Sequence, residues 1–273
     1  MEPSSPAKEH NDMSDTITSN GITTAYRLDG PEDAPVVMFS NSLMCTYSMW
    51  DSQVSDISSN YRMLRYDTRG HGGTEVAPGP YSVEQFVDDA HGVMQGLGIE
   101  RVHFVGLSLG GLIGQRLATK YSESLSSMVL CDTGTLMPTQ DAWEERIRIA
   151  GSEGMNGIAE PMLTRWITEG FLEREPDEVD KVRDMILNTS VDGFISCCKA
   201  IKAADLTDQV GDISISTTVV YGAQDPLAGP SQAVHEGIEG SNCVVIDNAG
   251  HLPNVEQAET FNRTVLEHLD RHS

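Results

Sequence analysis

Basic residues are scarce in this sequence. The chain has 18 lysines and arginines against 41 aspartates and glutamates, which gives a formal net charge of −23 over 273 residues. A surface this acidic repels phosphate backbones and anionic lipid headgroups. We therefore expect neither a nucleic-acid partner nor a role at a membrane surface.

Long apolar runs are also missing. A membrane-spanning helix needs about 18 or more consecutive apolar residues, and no stretch of the chain approaches that length. The polar stretch 1–15 contains Pro3, Pro6 and several charges, and it has no apolar segment of the kind that signal peptides carry. We predict that 1–15 is a disordered leader.

Cysteine is sparse, and its spacing fits no metal site. The five cysteines are an odd number, include the adjacent pair Cys197 and Cys198, and show no metal-ligand spacing. In a chain without a secretion signal, such cysteines are expected to be reduced thiols. We therefore expect a cytoplasmic protein that uses no metal and no cofactor.

Apolar strand patterns alternate with amphipathic helical patterns along most of the chain. This alternation predicts an α/β fold with a mostly parallel, doubly wound sheet. The strand signal disappears between about Gly134 and Asp205, where only helical spacing remains. We predict a core made of 16–133 and 206–273, and a helical cap over 134–205 inserted between them.

The stretch Val102–Gly114 has the pattern of an apolar strand, a Gly-x-Ser-x-Gly turn and a helix of small residues. Such a turn projects the serine above the sheet, and the glycines at Gly106 and Gly110 let the strand and helix backbones pass closely. A dinucleotide-binding turn would require glycine at position 108, where this chain has Ser108. The pattern therefore favours Ser108 as a nucleophile.

A serine hydroxyl needs a base, and the base needs a third group to orient it. His251 follows the last strand pattern and precedes the last helix, which places it at the same sheet edge as Ser108. His71, in a Gly-His-Gly loop, is the competing histidine. Asp225 follows the strand pattern before His251 and is the favoured acid, with Asp132 as the alternative.

The negative charge that forms on a substrate carbonyl during acyl transfer needs N–H donors fixed in advance. The backbone N–H of Leu109, directly after the serine, is one candidate. The backbone N–H of Leu43, in the loop after the strand 36–39, is the other.

Several stretches together resemble the α/β-hydrolases of the 3-oxoadipate enol-lactonase group. The stretches are 28–35, 40–43, 64–72, 78–82, 97–101 and Gly106–Gly111. The resemblance implies an α/β-hydrolase fold with Ser108, Asp225 and His251 as the catalytic residues. It also implies that Leu43 and Leu109 form the oxyanion hole. Met44 stands where that group usually has glycine, and it is expected to add bulk beside the acyl pocket.

The cap is expected to choose the substrate, with Trp143, Arg165 and Trp166 on its inner face and Arg165 as the residue that meets a substrate carboxylate. The catalytic residues and the resemblance together imply a serine hydrolase that opens a small lactone or ester with water through an acyl-enzyme. Alternatives with the same triad are a carboxylesterase, a thioesterase, a carbon–carbon bond hydrolase and a perhydrolase. A hydrolase fold that only binds a ligand is a further alternative.

Overall fold

Alternating strands and helices make up most of the chain in the computed structural model, which describes residues 14–136 and 140–273. The strands are β1 (Asp15–Ser19), β2 (Ile22–Asp29), β3 (Val36–Ser40), β4 (Arg62–Tyr66), β5 (Val102–Leu107), β6 (Leu125–Cys131), β7 (Thr217–Gly222) and β8 (Asn242–Ile246). They form one sheet in the order β1-β2-β4-β3-β5-β6-β7-β8. The pairs from β4 through β8 are parallel, and only β1–β2 and β2–β4 are antiparallel. The predicted α/β class is confirmed.

The first strand corrects the predicted leader, because Asp15 already pairs with Tyr26 in the β1–β2 hairpin. The turn between these strands is Asn20-Gly21, and both residues have positive φ, 46° and 75°. Asparagine followed by glycine is a strong sequence signal for such a hairpin. Residues 1–13 of the predicted leader lie outside the described residues.

Eleven α-helices lie in the described part of the chain. In chain order they are α1 (Asp51–Ile57), α2 (Val83–Gly96), α3 (Leu109–Lys120), α4 (Gln140–Glu153), α5 (Asn156–Trp166), α6 (Glu169–Arg174), α7 (Pro176–Leu187), α8 (Val191–Ala203), α9 (Ala228–Gly237), α10 (Pro253–Glu256) and α11 (Ala258–His272). Ser82 begins α2 with a capping box that it forms with Gln85.

Neighbouring side chains of β5 point to opposite faces of the sheet, as strand geometry requires. Phe104 lies against Gly114 of α3, where an added Cβ would come within 2.8 Å of its ring. His103 instead contacts Tyr61, whose hydroxyl group donates to Asp270 of α11. Helices therefore cover both faces, and β5 is buried along its whole length.

The helices α4 to α8 form one insertion between β6 and β7, which we call the cap (residues 134–205). Its two connections to the sheet meet at an isolated antiparallel bridge between Leu136 and Asp205. The N–H of Leu206 donates to the carbonyl of Thr135 at 2.9 Å beside that bridge. The cap thus leaves and re-enters the core at one place, beyond the carboxyl end of β6.

All five cysteines lie in the described residues and are free thiols, four of them buried. No helix among the described residues is long and apolar enough to cross a membrane.

Candidate active site

Ser108 lies on a strained turn between β5 and α3. Its φ of 56° and ψ of −106° are rarely adopted by a residue with a side chain. A Cβ on Gly106 would lie 2.2 Å from the carbonyl oxygen of Gly110, and one on Gly110 would lie 2.1 Å from that of Ser40. The predicted need for glycine on both sides of the serine is therefore confirmed by the geometry.

The structure brings Asp225 and His251 together at the carboxyl edge of the sheet. His251 Nδ1 lies 3.1 Å from both carboxylate oxygens of Asp225, and both side chains are almost completely buried. A proton on Nδ1 leaves Nε2 free to act as a base. Asp225 therefore orients His251, and Asp132, the alternative acid, makes no hydrogen bond to that ring.

Asp132 and Asp225 have opposite electrostatic behaviour. Burial and the neighbouring charge of Asp225 raise the pKa of Asp132 well above its usual value. Burial also acts to raise the pKa of Asp225, but the charge of His251 and the hydrogen bonds to the Asp225 carboxylate together outweigh that effect. The pKa of Asp225 is consequently lowered, so this carboxylate is ionised beside the histidine.

Two backbone N–H groups beside Ser108 have no acceptor within the described residues. They belong to Leu43, in the loop after β3, and Leu109, at the first position of α3, where helix geometry offers no partner. The N–H of Gly110 donates to the carbonyl of Asn41 at 3.0 Å, which joins the two segments. Asn41 is held in turn by Trp50 Nε1 and by the carbonyl of Tyr66. The two free N–H groups therefore belong to one braced unit.

His71 has a role that sequence reasoning did not assign to it. Its Nε2 accepts the N–H of Met44 at 2.9 Å, and its Nδ1 lies 3.2 Å from the carbonyl of Arg69. Burial lowers the pKa of His71 to about 4, so the ring is neutral and can accept this bond. His71 thereby fixes the residue after Leu43. It is a brace for the loop and does not compete with His251 for the role of base.

The assignment of Met44 to the substrate pocket is wrong. Met44 is fully buried and is not among the residues that line the cavity. Its φ of 63° lies in the left-handed region, which glycine adopts without strain. The backbone of Met44 shapes the loop, and its side chain packs into the core.

A cavity that is partly open to solvent lies between the sheet edge and the cap. Its core side is formed by Leu43, Ser108, Leu109, Asp225, Pro226, Leu227 and His251, and its cap side by Ala142, Trp143, Arg146, Met162, Arg165, Trp166 and Ile201. The predicted pocket residues Trp143, Arg165 and Trp166 therefore lie on the cavity wall. So do the three predicted catalytic side chains.

Arg146 is the more enclosed of the two arginines on this wall. It is not among the pocket residues that the sequence predicts. It is half-buried with its guanidinium 4.4 Å from the centre of the Trp143 ring, whereas Arg165 is exposed. Burial, and then the charge of Arg165, lower the pKa of Arg146 from its usual high value. Neither arginine has a carboxylate partner among the described residues.

Glu256 joins the histidine loop to the cap. One of its carboxylate oxygens accepts the N–H of Gly250, and the other accepts the N–H and hydroxyl group of Thr168. Beside this link, the N–H of His251 donates to the carbonyl of Trp166, and the two rings stack at 5.5 Å. No local sequence pattern signals these contacts, because their partners are far apart in the chain.

Comparison with known proteins agrees with this architecture. Residues 35–258 match the model of the alpha/beta hydrolase fold family. The chain is 36% identical over 253 residues to 3-oxoadipate enol-lactonase 2 of Acinetobacter baylyi, a match that covers 92% of this chain and 94% of the relative.

Two solved structures are similar over almost the whole chain. The enol-lactonase from Burkholderia xenovorans LB400 superposes with a TM-score of 0.92 at 37% identity, covering 94% of this chain and all of that one. A thermophilic esterase from Thermogutta terrifontis gives 0.88 at 30% identity, covering 96% and 100%. The chain belongs to the α/β-hydrolase fold family and is a hydrolase.

Proposed function

We propose that this protein is a serine hydrolase that opens a small enol-lactone or a closely related ester carrying a carboxylate. One observation carries the proposal: Ser108, the hydrogen-bonded Asp225–His251 pair and two N–H groups without acceptors meet at a single cavity. These are the parts that acyl transfer requires: a nucleophile, an oriented base and donors for the oxyanion.

In the first half of the reaction, His251 Nε2 takes the proton of Ser108 as its Oγ attacks the substrate carbonyl carbon. The N–H groups of Leu43 and Leu109 hold the oxyanion that forms. Asp225 stabilises the positive charge that develops on His251. Collapse of the intermediate breaks the ring C–O bond, and the leaving oxygen takes the proton from His251, which leaves His251 neutral again.

In the second half, His251 removes a proton from water, and the hydroxide attacks the acyl carbon. The oxyanion forms again in the same hole, and its collapse returns the proton to Ser108 Oγ. For a lactone the leaving group stays tethered to the acyl group. The product is therefore a single ring-opened acid.

The lactone as substrate class is supported by the relatives, two of which are named enol-lactonases and match at 36% and 37% identity. The carboxylate is supported by the cap wall. Arg146 and Arg165 provide positive charge in a protein of net charge −23 and have no carboxylate partner among the described residues. Trp143 adds a buried indole N–H that has no acceptor among the described residues.

The test compares wild type with Ser108→Ala on p-nitrophenyl acetate and on a panel of a carboxylate-bearing enol-lactone, its methyl ester and neutral lactones. We expect kcat to fall by at least about 10³-fold on every substrate that wild type turns over. Labelling by a fluorophosphonate probe should disappear in the same variant. Ser55→Ala, which removes an exposed serine of α1, is the matched control.

Turnover that survives in Ser108→Ala would reject the nucleophile. Wild type without turnover on the whole panel and without labelling would point to a protein that only binds its ligand. A panel in which neutral lactones outperform the carboxylate-bearing enol-lactone would keep the triad and reject the proposed substrate.

A further inference from the structure

Two carboxyl groups lie side by side beneath His251. Carboxylate oxygens of Asp132 and Asp225 and a ring nitrogen of His251 all lie within 4.8 Å of one another. All three residues are buried. Asp132 is completely buried, and Asp225 is 6% exposed. Two buried carboxylates at this separation repel each other strongly, so the pair is stable with one proton between them.

The contacts decide which aspartate holds that proton. Asp225 has both oxygens facing His251 Nδ1, a donor that favours the ionised form. In the described part of the chain, Asp132 accepts a hydrogen bond only from the backbone N–H of Gly222, at 2.9 Å through Oδ1. Its Oδ2 is buried and has no donor among the described residues. An ionised Asp132 would leave that oxygen unpaired, whereas a protonated Asp132 can donate from it.

The surroundings of Asp132 also disfavour a second negative charge. Besides Asp225, the neighbouring groups with titratable side chains are Cys131, Glu256 and His251. The two carboxyl groups of Asp225 and Glu256 and the burial of the site all act to raise the pKa of Asp132. The hydrogen bond from the Gly222 N–H acts in the opposite direction.

We propose that Asp132 is a positioning residue that stays protonated at neutral pH and donates a hydrogen bond to Asp225. The bond holds the Asp225 carboxylate in the orientation in which both of its oxygens face His251. Asp132 does not touch the substrate and acts only through Asp225. This inference rests on the proposed triad of Ser108, Asp225 and His251.

Two substitutions separate a hydrogen-bond donor from a charge. Asp132→Asn keeps an acceptor for Gly222 and supplies an N–H donor to Asp225, and asparagine tolerates the φ of 46° at this position. Asp132→Gly suits the same backbone but removes the side chain. Both are measured on p-nitrophenyl acetate as a function of pH, with wild type and Ser108→Ala alongside.

We expect Asp132→Asn to keep kcat/KM within about threefold of wild type, with the acid limb of its pH profile unmoved. We expect Asp132→Gly to lose about 10- to 100-fold in kcat with little change in KM, because a hydrogen bond to a charged group is worth about 1.5–3 kcal/mol. Rescue by asparagine together with an unmoved profile is not the behaviour of a residue that only supports the fold.

Infrared difference spectra between wild type and Asp132→Asn at pH 7 report directly whether Asp132 is protonated. We expect wild type to show the carbonyl stretch of a buried protonated carboxylic acid and the variant to lack it. This measurement does not depend on turnover. It therefore stands even if Ser108→Ala retains activity, a result that would reject the proposed function and leave the Asp132 proton established.

Four results would overturn the inference. The first is absence of that band from wild type. The second is an acid limb that moves about one pH unit lower in Asp132→Asn, which would mean that a negative charge had been removed. The third is an Asp132→Gly variant as active as wild type, and the fourth is loss of wild-type activity on dialysis against EDTA, which would place a cation between the carboxylates.

Discussion

The two walls of the cavity are built on different principles. On the core wall (Leu43, Ser108, Leu109, Asp225 and His251), the polar groups are held in place by contacts of the sheet edge and its loops, and His251 is also held by the carbonyl of Trp166. On the cap wall (Trp143, Arg146, Met162, Arg165 and Trp166), the two guanidinium groups and the Trp143 indole N–H have no acceptor among the described residues. The core wall is braced, and the polar groups of the cap wall are left for a ligand.

This difference separates chemistry from recognition. Stabilising a transition state requires dipoles that are already oriented, and strain such as that at Ser108 persists only where neighbouring structure holds it. Recognition of a substrate carboxylate instead requires donors that are not already paired. Variants of the core wall should therefore change kcat, and variants of the cap wall should change KM and specificity.

The largest expected effect is that of Asp225→Asn on the core wall. An amide in place of the carboxylate can present an N–H donor to Nδ1 of His251, which favours the tautomer with the proton on Nε2 and removes the free base. We expect kcat to fall about 10³- to 10⁴-fold with KM within about threefold. Steady-state kinetics on p-nitrophenyl acetate measures both values.

Asp247→Asn, which changes an exposed aspartate directly after β8, is the control for Asp225→Asn and should match wild type. A loss that appeared mainly in KM would contradict the division between the two walls. Full activity of Asp225→Asn would remove Asp225 from the triad.

The second prediction concerns the pH dependence of the brace under Leu43. The pKa of His71 is lowered by burial from 6.5 to about 4 in the folded protein. The unfolded chain therefore binds more protons between these values, and the stability that His71 contributes is complete above pH 6.5 and lost as pH falls toward 4. The maximum loss is about 3 kcal/mol.

His71→Gln keeps an acceptor for the Met44 N–H and removes the titration. From pH 7 to pH 4, we expect the free energy of unfolding of wild type to fall by up to about 3 kcal/mol more than that of His71→Gln. Urea unfolding at several pH values measures it. Parallel pH curves for the two proteins would show that His71 is not buried in its neutral form.

The core wall was far more predictable than its braces. Ser108, Asp225 and His251 each follow a strand pattern in the sequence, and parallel strands bring their carboxyl ends to one edge. The bond from Met44 to His71 and the link from Glu256 to Thr168 join segments 27 and 88 residues apart. Contacts of that kind leave no periodic pattern in a single sequence.

The cap wall shows a second limit of sequence reasoning. Helical spacing identified aromatic and basic residues there, yet it does not tell which turn of a helix faces the cavity. The sequence predicts Arg165 as the residue that meets a substrate carboxylate, but the structure encloses Arg146 against Trp143 and leaves Arg165 exposed. The roles of both arginines in substrate binding stay predictions.

The smallest expected effects come from the cap wall and compare these two arginines. Arg146→Met keeps a long apolar side chain against Trp143 and removes the charge. We expect kcat/KM for a carboxylate-bearing enol-lactone to fall about 10- to 100-fold, mainly through KM, because a charge-assisted hydrogen bond is worth about 1.5–3 kcal/mol. Hydrolysis of the methyl ester of the same lactone should change less than about threefold.

Arg165→Met is the matched variant, and exposure of the guanidinium should reduce its effect to a few-fold, since water screens the interaction. A larger loss in Arg165→Met than in Arg146→Met would restore the preference drawn from the sequence. Equal losses in kcat/KM for the carboxylate-bearing lactone and for its methyl ester would mean that neither arginine binds the substrate carboxylate. A fall in kcat with KM unchanged would contradict the distinction between the two walls, because the cap would then help to stabilise the transition state.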